Sequence, residues 1–482
     1  MLDDGVTEMK FLGTIFLGLI VILYPKEEST LLEQIKATEL QMITRYGPTT
    51  YYEDLNSQAV GFEYELAKRF AKELGVKLRV LTADNTNEIL QAVINQKVHF
   101  AAAGLVVTPE RQSLVRFGPP YQDVIQKMVY HRDSLSPPTR LADLTSHHQL
   151  NILTGSHQID KLKALRTKYP QLTWEKNPQA IDLIKEVGEK KMLYALVNSN
   201  ELAYMRLLYP KLQIGFTLPH TYQLAWAFPQ SSDNSLYLAA IKFFNQLQQQ
   251  GELEQLRKRY YGHLKDKDFN YVNIRAFIRR IKKRLPLYQD YFEKMANHYD
   301  LDWRLLAAIS YQESKWNPKA VSGTGVRGLM MLTQSTAEEM GVKNRQDPYQ
   351  SIQGGTKYFV ALKKRLPKHI QEPDRIWFTL AAYNVGLGHL RDARKLTKQL
   401  GGNLDRWTDV EKHLPKLAKP RWYKQTKYGK ARGEEPVKFV KNIRRFYDIL
   451  ILTDLKEKTD LKEKKESEIE ESRNQEGKVA SR

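Results

Sequence analysis

Asp302-Trp-Arg-Leu-Leu-Ala-Ala-Ile-Ser-Tyr-Gln-Glu313-Ser314, continued by Lys315-Trp-Asn-Pro318 and Ser322-Gly-Thr-Gly-Val-Arg-Gly328, is the stretch on which the reading of this chain turns. Asp302 has the side chain of a helix N-cap. Leu305, Ile309 and Glu313 then share one face, because side chains four apart stack on a helix. Asn317-Pro318 is predicted to stop the helix, since proline disfavours an α conformation in the residue before it. Glu313 thus ends an apolar stripe, where burial disfavours the charged carboxylate and raises its pKa. General acid catalysis on a glycosidic oxygen needs that property. A lone Glu on a helix more often pairs with an Arg or Lys. The residues beyond Pro318 shift the balance. Gly323, Gly325 and Gly328 allow tight turns or close backbone approach to a ligand, and Leu329-Met-Met-Leu-Thr333 comes next. Ser335-Thr-Ala-Glu338 reads as a capping box. Further on, Leu380-Ala-Ala-Tyr-Asn-Val-Gly386 is a helix end whose Tyr383 and Asn384 are expected to face a groove.

Outward from this stretch, residues 269–454 carry helical periodicity almost throughout, and a mostly α domain is expected there. Residues 455–482 alternate Lys and Glu without aromatics, as a solvated helix or disordered segment does. On the amino-terminal side, residues 31–268 mix short β-rich runs with helical patterns, the mark of an α/β domain. Leu78-Arg-Val-Leu81 is a strand candidate, and Phe62 to Leu74, stopped by Gly75, is an amphipathic helix. A second helix covers Glu88 to Asn95. The alternation resumes at Asn151-Ile-Leu-Thr-Gly-Ser156 with helical stretches at Gln158–Lys168 and Gln179–Val187, so a second lobe is expected. Asn234 to Tyr261 is helical and returns to the first lobe. The polar run after Gly262 places the domain boundary near residue 268.

At 482 residues the chain needs more than one core. Apolar residues at 41% supply the area for them. The balance of 75 Lys+Arg against 55 Asp+Glu, net +20, calls for an anionic partner. Zinc-finger spacing, RNP-like strands and basic heptads are all missing, so nucleic acid is not the expected partner. Absence of cysteine removes disulfides, thiol catalysis and a lipid-modified cysteine. Without a His-Glu-x-x-His pattern no metal site is expected, and His147-His148 reads as a surface loop. No cofactor is called for. Residues 1–30 hold Lys10 and an apolar run from Phe11 to Tyr24, shorter than the ~20 residues of a spanning helix. This is a signal-peptide core, or an uncleaved anchor.

Glu313-Ser314, Gly328-Leu-Met-Met331 and Ala381-Ala-Tyr-Asn-Val-Gly386, in this order, resemble the catalytic domain of the lytic transglycosylases, which has a goose-lysozyme-like fold. The resemblance implies that Glu313 protonates the bond between N-acetylmuramic acid and N-acetylglucosamine in peptidoglycan glycan strands. It then acts as base on the muramoyl 6-hydroxyl, leaving 1,6-anhydromuramoyl ends. Ser314, Ser322, Met330, Met331, Tyr383 and Asn384 would contact or orient the substrate. The family's Gly-Leu-Met-Gln is here Gly-Leu-Met-Met, so Met331 lacks the amide's hydrogen bonds. Val60-Gly-Phe-Glu-Tyr-Glu-Leu-Ala-Lys-Arg-Phe70, Val107-Thr-Pro-Glu-Arg111 and Phe117-Gly-Pro-Pro-Tyr121 resemble the two-lobed periplasmic solute-binding domains for amino acids. There Arg111 would clamp a carboxylate. Asn198, neutral where that family places an acid for the ligand's amino group, favours a muropeptide over a free amino acid. The combination resembles membrane-bound lytic transglycosylases, peripheral on the periplasmic side of the Gram-negative outer membrane, which makes the membrane surface a further partner. A hydrolytic muramidase on the same fold and a non-catalytic muropeptide sensor are the alternatives.

Overall fold

The structure, a computed structural model, describes residues 29–53, 59–145, 150–153, 158–177, 183–264 and 271–480. The apolar segment Phe11–Tyr24, the His147-His148 pair and the boundary near residue 268 lie outside the described residues. Among those described, no helix is long and apolar enough to cross a membrane.

Two five-stranded sheets form the two lobes of the amino-terminal half. In the first the order is Lys77–Thr82, Glu39–Thr44, Phe100–Ala101, Ala227–Phe228, Arg116–Phe117. Its first two strands run parallel in continuous register from Glu39↔Lys77 to Thr44↔Thr82. The expected strand at Leu78–Leu81 is the middle of this edge. Phe62–Leu74 forms the expected helix, burying Phe62, Leu66 and Phe70 and ending on Gly75 at φ 76°, where a side chain would be strained. The second helix begins at Thr86, capped by Asn85. The second sheet has the order Leu212–Leu224, Gln122–His131, Tyr194–Asn198, Leu150–Leu153, Trp174–Asn177. Asn234 to Tyr261 divides into Ser235–Gln249 and Glu252–Tyr261 at Gly251, φ 69°. These return to the first lobe and pack Phe243, Phe244 and Leu256 against Trp226 and Phe70.

The carboxy-terminal half is helical, and its centre is the helix Trp303–Ser314. The stripe read from the sequence understates its burial: Leu305 to Tyr311 are buried on every side. A helix apolar all round sits in the middle of a domain rather than on its surface. Gln289–Tyr299, Pro348–Lys364 and the start of Glu434–Ala480 pack against it, and Asp374–Val385 packs on the last two of these. Glu434–Ala480 crosses the expected boundary at 454/455 without a break. It buries Val440, Ile443, Phe446 and Ile449 in the catalytic half. It also reaches the amino-terminal half, where Arg445 Nε donates to the carbonyl of His263 at 2.8 Å and Asp460 pairs with Lys185 at 2.9 Å. One continuous apolar cluster runs through both halves, which are not separate cores.

Candidate active site

Asp302 caps the central helix as expected, its carboxylate accepting from the Arg304 N–H at 2.9 Å. The other end differs from expectation. The helix stops at Ser314, before the Asn-Pro pair, because Lys315 and Trp316 both take left-handed backbone angles, φ 56° and 55°. Two such non-glycine residues in succession cost about 1–2 kcal/mol each. Burial of Trp316, 1% exposed, and its Nε1 hydrogen bond to the Ala307 carbonyl at 2.9 Å offset that strain. The chain is turned back sharply one residue after Ser314, so Glu313 occupies the last turn of a helix whose remainder is enclosed.

Glu313 is partly exposed as a residue, yet burial around its carboxyl pushes the pKa up to about 8. The nearby Lys315 ammonium opposes the rise. The pairing expected of an ordinary helical Glu is not found: among the described residues Glu313 has no ion pair and no hydrogen bond. Lys315 instead lays its Nζ over the Tyr311 ring at 4.8 Å and the Phe446 ring at 5.6 Å. Burial and the Arg280 charge bring its own pKa down to about 8. Arg280 donates to the Tyr311 hydroxyl at 2.9 Å, and Arg284 to the Lys315 carbonyl at 3.0 Å. A carboxyl that is unpaired and protonated near neutrality can donate a proton and take one back.

The segment Gly328–Met331 lies beside this carboxyl and is held by three helices. Ser310 and Ser314, one turn apart, both donate to the Leu329 carbonyl, at 3.1 and 2.9 Å. Ser351, on Pro348–Lys364, accepts from the Met330 N–H at 3.1 Å. Tyr383, on Asp374–Val385, donates to the Met330 carbonyl at 3.0 Å. Gly328 has φ 85°, and a Cβ there would stand 1.7 Å from the Arg345 carbonyl oxygen. Only glycine fits. The helix after this segment is capped by Thr333, which accepts from the Thr336 N–H, rather than by Ser335. Burial, and after it the nearby Glu313 carboxyl, drives the Tyr383 phenol's pKa up.

Glu313, Ser314, Met330, Met331 and Tyr383 therefore come together. Ser314 and Tyr383 act on backbone carbonyls, and the Met330 side chain is fully buried, packed where a Cβ on Gly355 would strike it. Met331, φ 48°, turns the segment. Ser322 closes its own turn by accepting from the N–H groups of Thr324 and Val326. Asn384 is exposed beside the helix end at Gly386. Sequence reasoning missed Ser310, Ser351 and Lys315. The four-residue spacing of Ser310 and Ser314 was the available sign of the first.

In the amino-terminal half, Arg111 is buried at 7% exposure and donates to the Val106 carbonyl at 3.0 Å. Asn198 ends a central strand, with its Oδ1 buried and without a hydrogen-bond partner among the described residues. Glu63, unremarked in the sequence, is buried beneath the first lobe. It accepts from the Gly104 N–H at 2.8 Å, from Trp226 Nε1 at 3.0 Å and from the Tyr121 hydroxyl. Arg45 and Glu201 form a 2.8 Å ion pair from the first lobe to the second.

Residues 290–405 match the family model of the transglycosylase SLT domain, and residues 40–263 that of bacterial extracellular solute-binding proteins, family 3. The chain is 46% identical over 446 residues to a membrane-bound lytic murein transglycosylase F of Ectopseudomonas mendocina (strain ymp), covering 91% of this chain and 90% of that protein. The chain belongs to the membrane-bound lytic murein transglycosylase F family. A second member of that family, from Stutzerimonas stutzeri (strain A1501), is 48% identical over 428 residues, 88% of this chain and 87% of its own. Among solved structures, the substrate-binding protein AbpA of Streptococcus pneumoniae bound to L-arginine is similar over 49% of this chain and all of its own, at 23% identity and TM-score 0.43. The two family models match in the order deduced from the residues, the solute-binding half first and the transglycosylase half second.

Proposed function

We propose that this peptidoglycan lytic transglycosylase uses Glu313 as its single acid and base. The protonated carboxyl gives its proton to the oxygen joining N-acetylmuramic acid to N-acetylglucosamine as the C1–O bond breaks. The resulting carboxylate takes the proton of the muramoyl 6-hydroxyl while that oxygen bonds to C1, which closes the 1,6-anhydro ring. Atoms balance without water, and Glu313 ends as it began. Retaining glycosidases ordinarily place a second carboxylate about 5 Å from the first. The substrate's own 2-acetamido group can stabilise the positive charge at C1 instead.

The observation that carries this reading is an unpaired carboxyl with a pKa of about 8, at the end of a helix and beside a loop fixed by four other side chains. Products from purified sacculi test it by mass spectrometry. Wild type should release anhydro ends, lighter by one water than hydrolysis products, and Glu313→Gln should release none. Hydrated ends would instead indicate a muramidase. In the same reading the amino-terminal half modulates rather than performs catalysis. Arg111 and Asn198 belong to a site for a muropeptide carboxylate, and the protein is peripheral on the periplasmic face of an outer membrane. The family's membrane association and the net charge of +20 support the last point.

A further inference from the structure

Between Lys416 and Lys430 the chain carries Lys416, Lys419, Arg421, Lys424, Lys427 and Lys430 and no acidic residue. None of the six has a carboxylate within ion-pair distance among the described residues. The neutralised cations lie outside the segment, in the Lys412–Asp409 and Arg432–Glu435 pairs. Two rings are set among the charges. Trp422 lies between Lys416 and Arg421, each 5.2 Å from its centroid, and Tyr428 is 45% exposed with Lys427 at 5.7 Å.

The segment is fixed in place. Buried Asp392 accepts from the N–H groups of Lys427 at 3.3 Å and Tyr428 at 2.7 Å. The Ala431 N–H donates to the Leu417 carbonyl at 3.1 Å. Tyr428 packs over Gly388, where a Cβ would meet its ring at 2.7 Å. Gly388 stands two residues after the Gly386 that ends the Tyr383-Asn384 helix. This cationic, aromatic surface is therefore anchored next to an element of the active site, and anchoring lowers the ordering cost of binding.

We propose that the 416–430 segment is a second substrate-contacting surface, which takes the carboxylates of the peptide stems borne by the glycan. This rests on the peptidoglycan-cleaving reading above. Lysine and arginine supply charge-assisted hydrogen bonds to carboxylates, and the rings offer apolar faces to sugar or peptide. The anchoring of Tyr428 on Gly388, beside the Tyr383-Asn384 helix, favours the substrate over an anionic membrane, which basic clusters also attract.

The test measures dissociation constants of full-length Glu313→Gln protein, which leaves strands intact, for glycan strands with stems and for the same strands stripped of stems by an amidase. The stem-bearing strands should bind more tightly. Adding Lys419→Glu, Lys424→Glu and Lys427→Glu should weaken that binding about tenfold, from three exposed charge contacts, and collapse the preference. The corresponding three Arg substitutions should keep it. Equal weakening for both strands, or for neither, overturns the proposal. Loss of binding to phosphatidylglycerol vesicles with the stem preference intact overturns it in favour of a membrane contact. Wild-type cleavage of the stem-bearing strands reads the underlying function separately, and failure of that cleavage would implicate the earlier reading instead.

Discussion

Replacing Glu313 with glutamine should make the protein more stable as well as inactive, by an amount that depends on pH in a defined way. A folded carboxyl with a pKa of about 8 holds its proton where the unfolded chain, at the ordinary 4.5, has released it. Between those values the native state binds more protons than the unfolded state, so wild-type stability falls as pH rises from 4.5 to about 8. Each pH unit is worth about 1.4 kcal/mol, so the full loss by pH 7 is ~3 kcal/mol. Glu313 is only partly enclosed, which brings the expectation to roughly 1–3 kcal/mol. An amide does not titrate, so any packing cost it has is constant with pH. Urea midpoints of both proteins at several pH values between 4 and 9 give the measurement. The advantage of Glu313→Gln over wild type should grow across the window and level off above it. A difference that stays constant with pH would refute the enclosed, unpaired carboxyl.

Lys315→Met removes the cation that holds the Glu313 pKa down, so the alkaline limb of the pH–rate profile should move up. A contact at 4 Å would be worth ~4 kcal/mol at an effective dielectric of 20, and this pair is farther apart, so ~1 pH unit is expected; an acid shift or no shift would count against it. Gly328→Ala should cost more than about 2 kcal/mol and most of the activity, since the new Cβ meets the Arg345 carbonyl and φ is 85°; thermal melting and turnover on sacculi check both. Tyr383→Phe should cost about 1 kcal/mol by freeing the buried Met330 carbonyl. If the loop's position matters, kcat should fall with little change in KM.

The sequence was most legible where local signals are strong. Asp302 as a cap, Gly75 and Gly386 as stops and the Phe62–Leu74 periodicity all reappear, because each acts through its own neighbours. Glu313 could be singled out from its stripe and the motifs after it. What it lacks could not be: the absence of a counter-ion depends on Lys315 folding away onto Tyr311 and Phe446, and Phe446 is more than a hundred residues distant. The true end of the catalytic helix was hidden for a related reason. Lys315 and Trp316 are not left-handed by preference, and the position is enforced by the burial of one indole. A change in composition marks 454/455, whereas one helix runs across it and ties residues beyond it to distant ones, as in Asp460–Lys185 at 2.9 Å.

The helix beginning at Glu434 has a consequence for the order in which a ribosome delivers this enzyme. Ile443, Phe446 and Ile449 complete the wall around the Trp303–Ser314 helix, and their helix is translated after the other helices of that wall. Until they emerge, Tyr311 lacks the Phe446 ring 4.7 Å away, and Lys315 lacks one of the two faces it rests on. A chain interrupted before residue 434 therefore carries the Glu313 motif without the enclosure that gives it a usable proton. An enzyme that cuts the wall of the cell making it is, by this arrangement, assembled last at the point where it becomes dangerous.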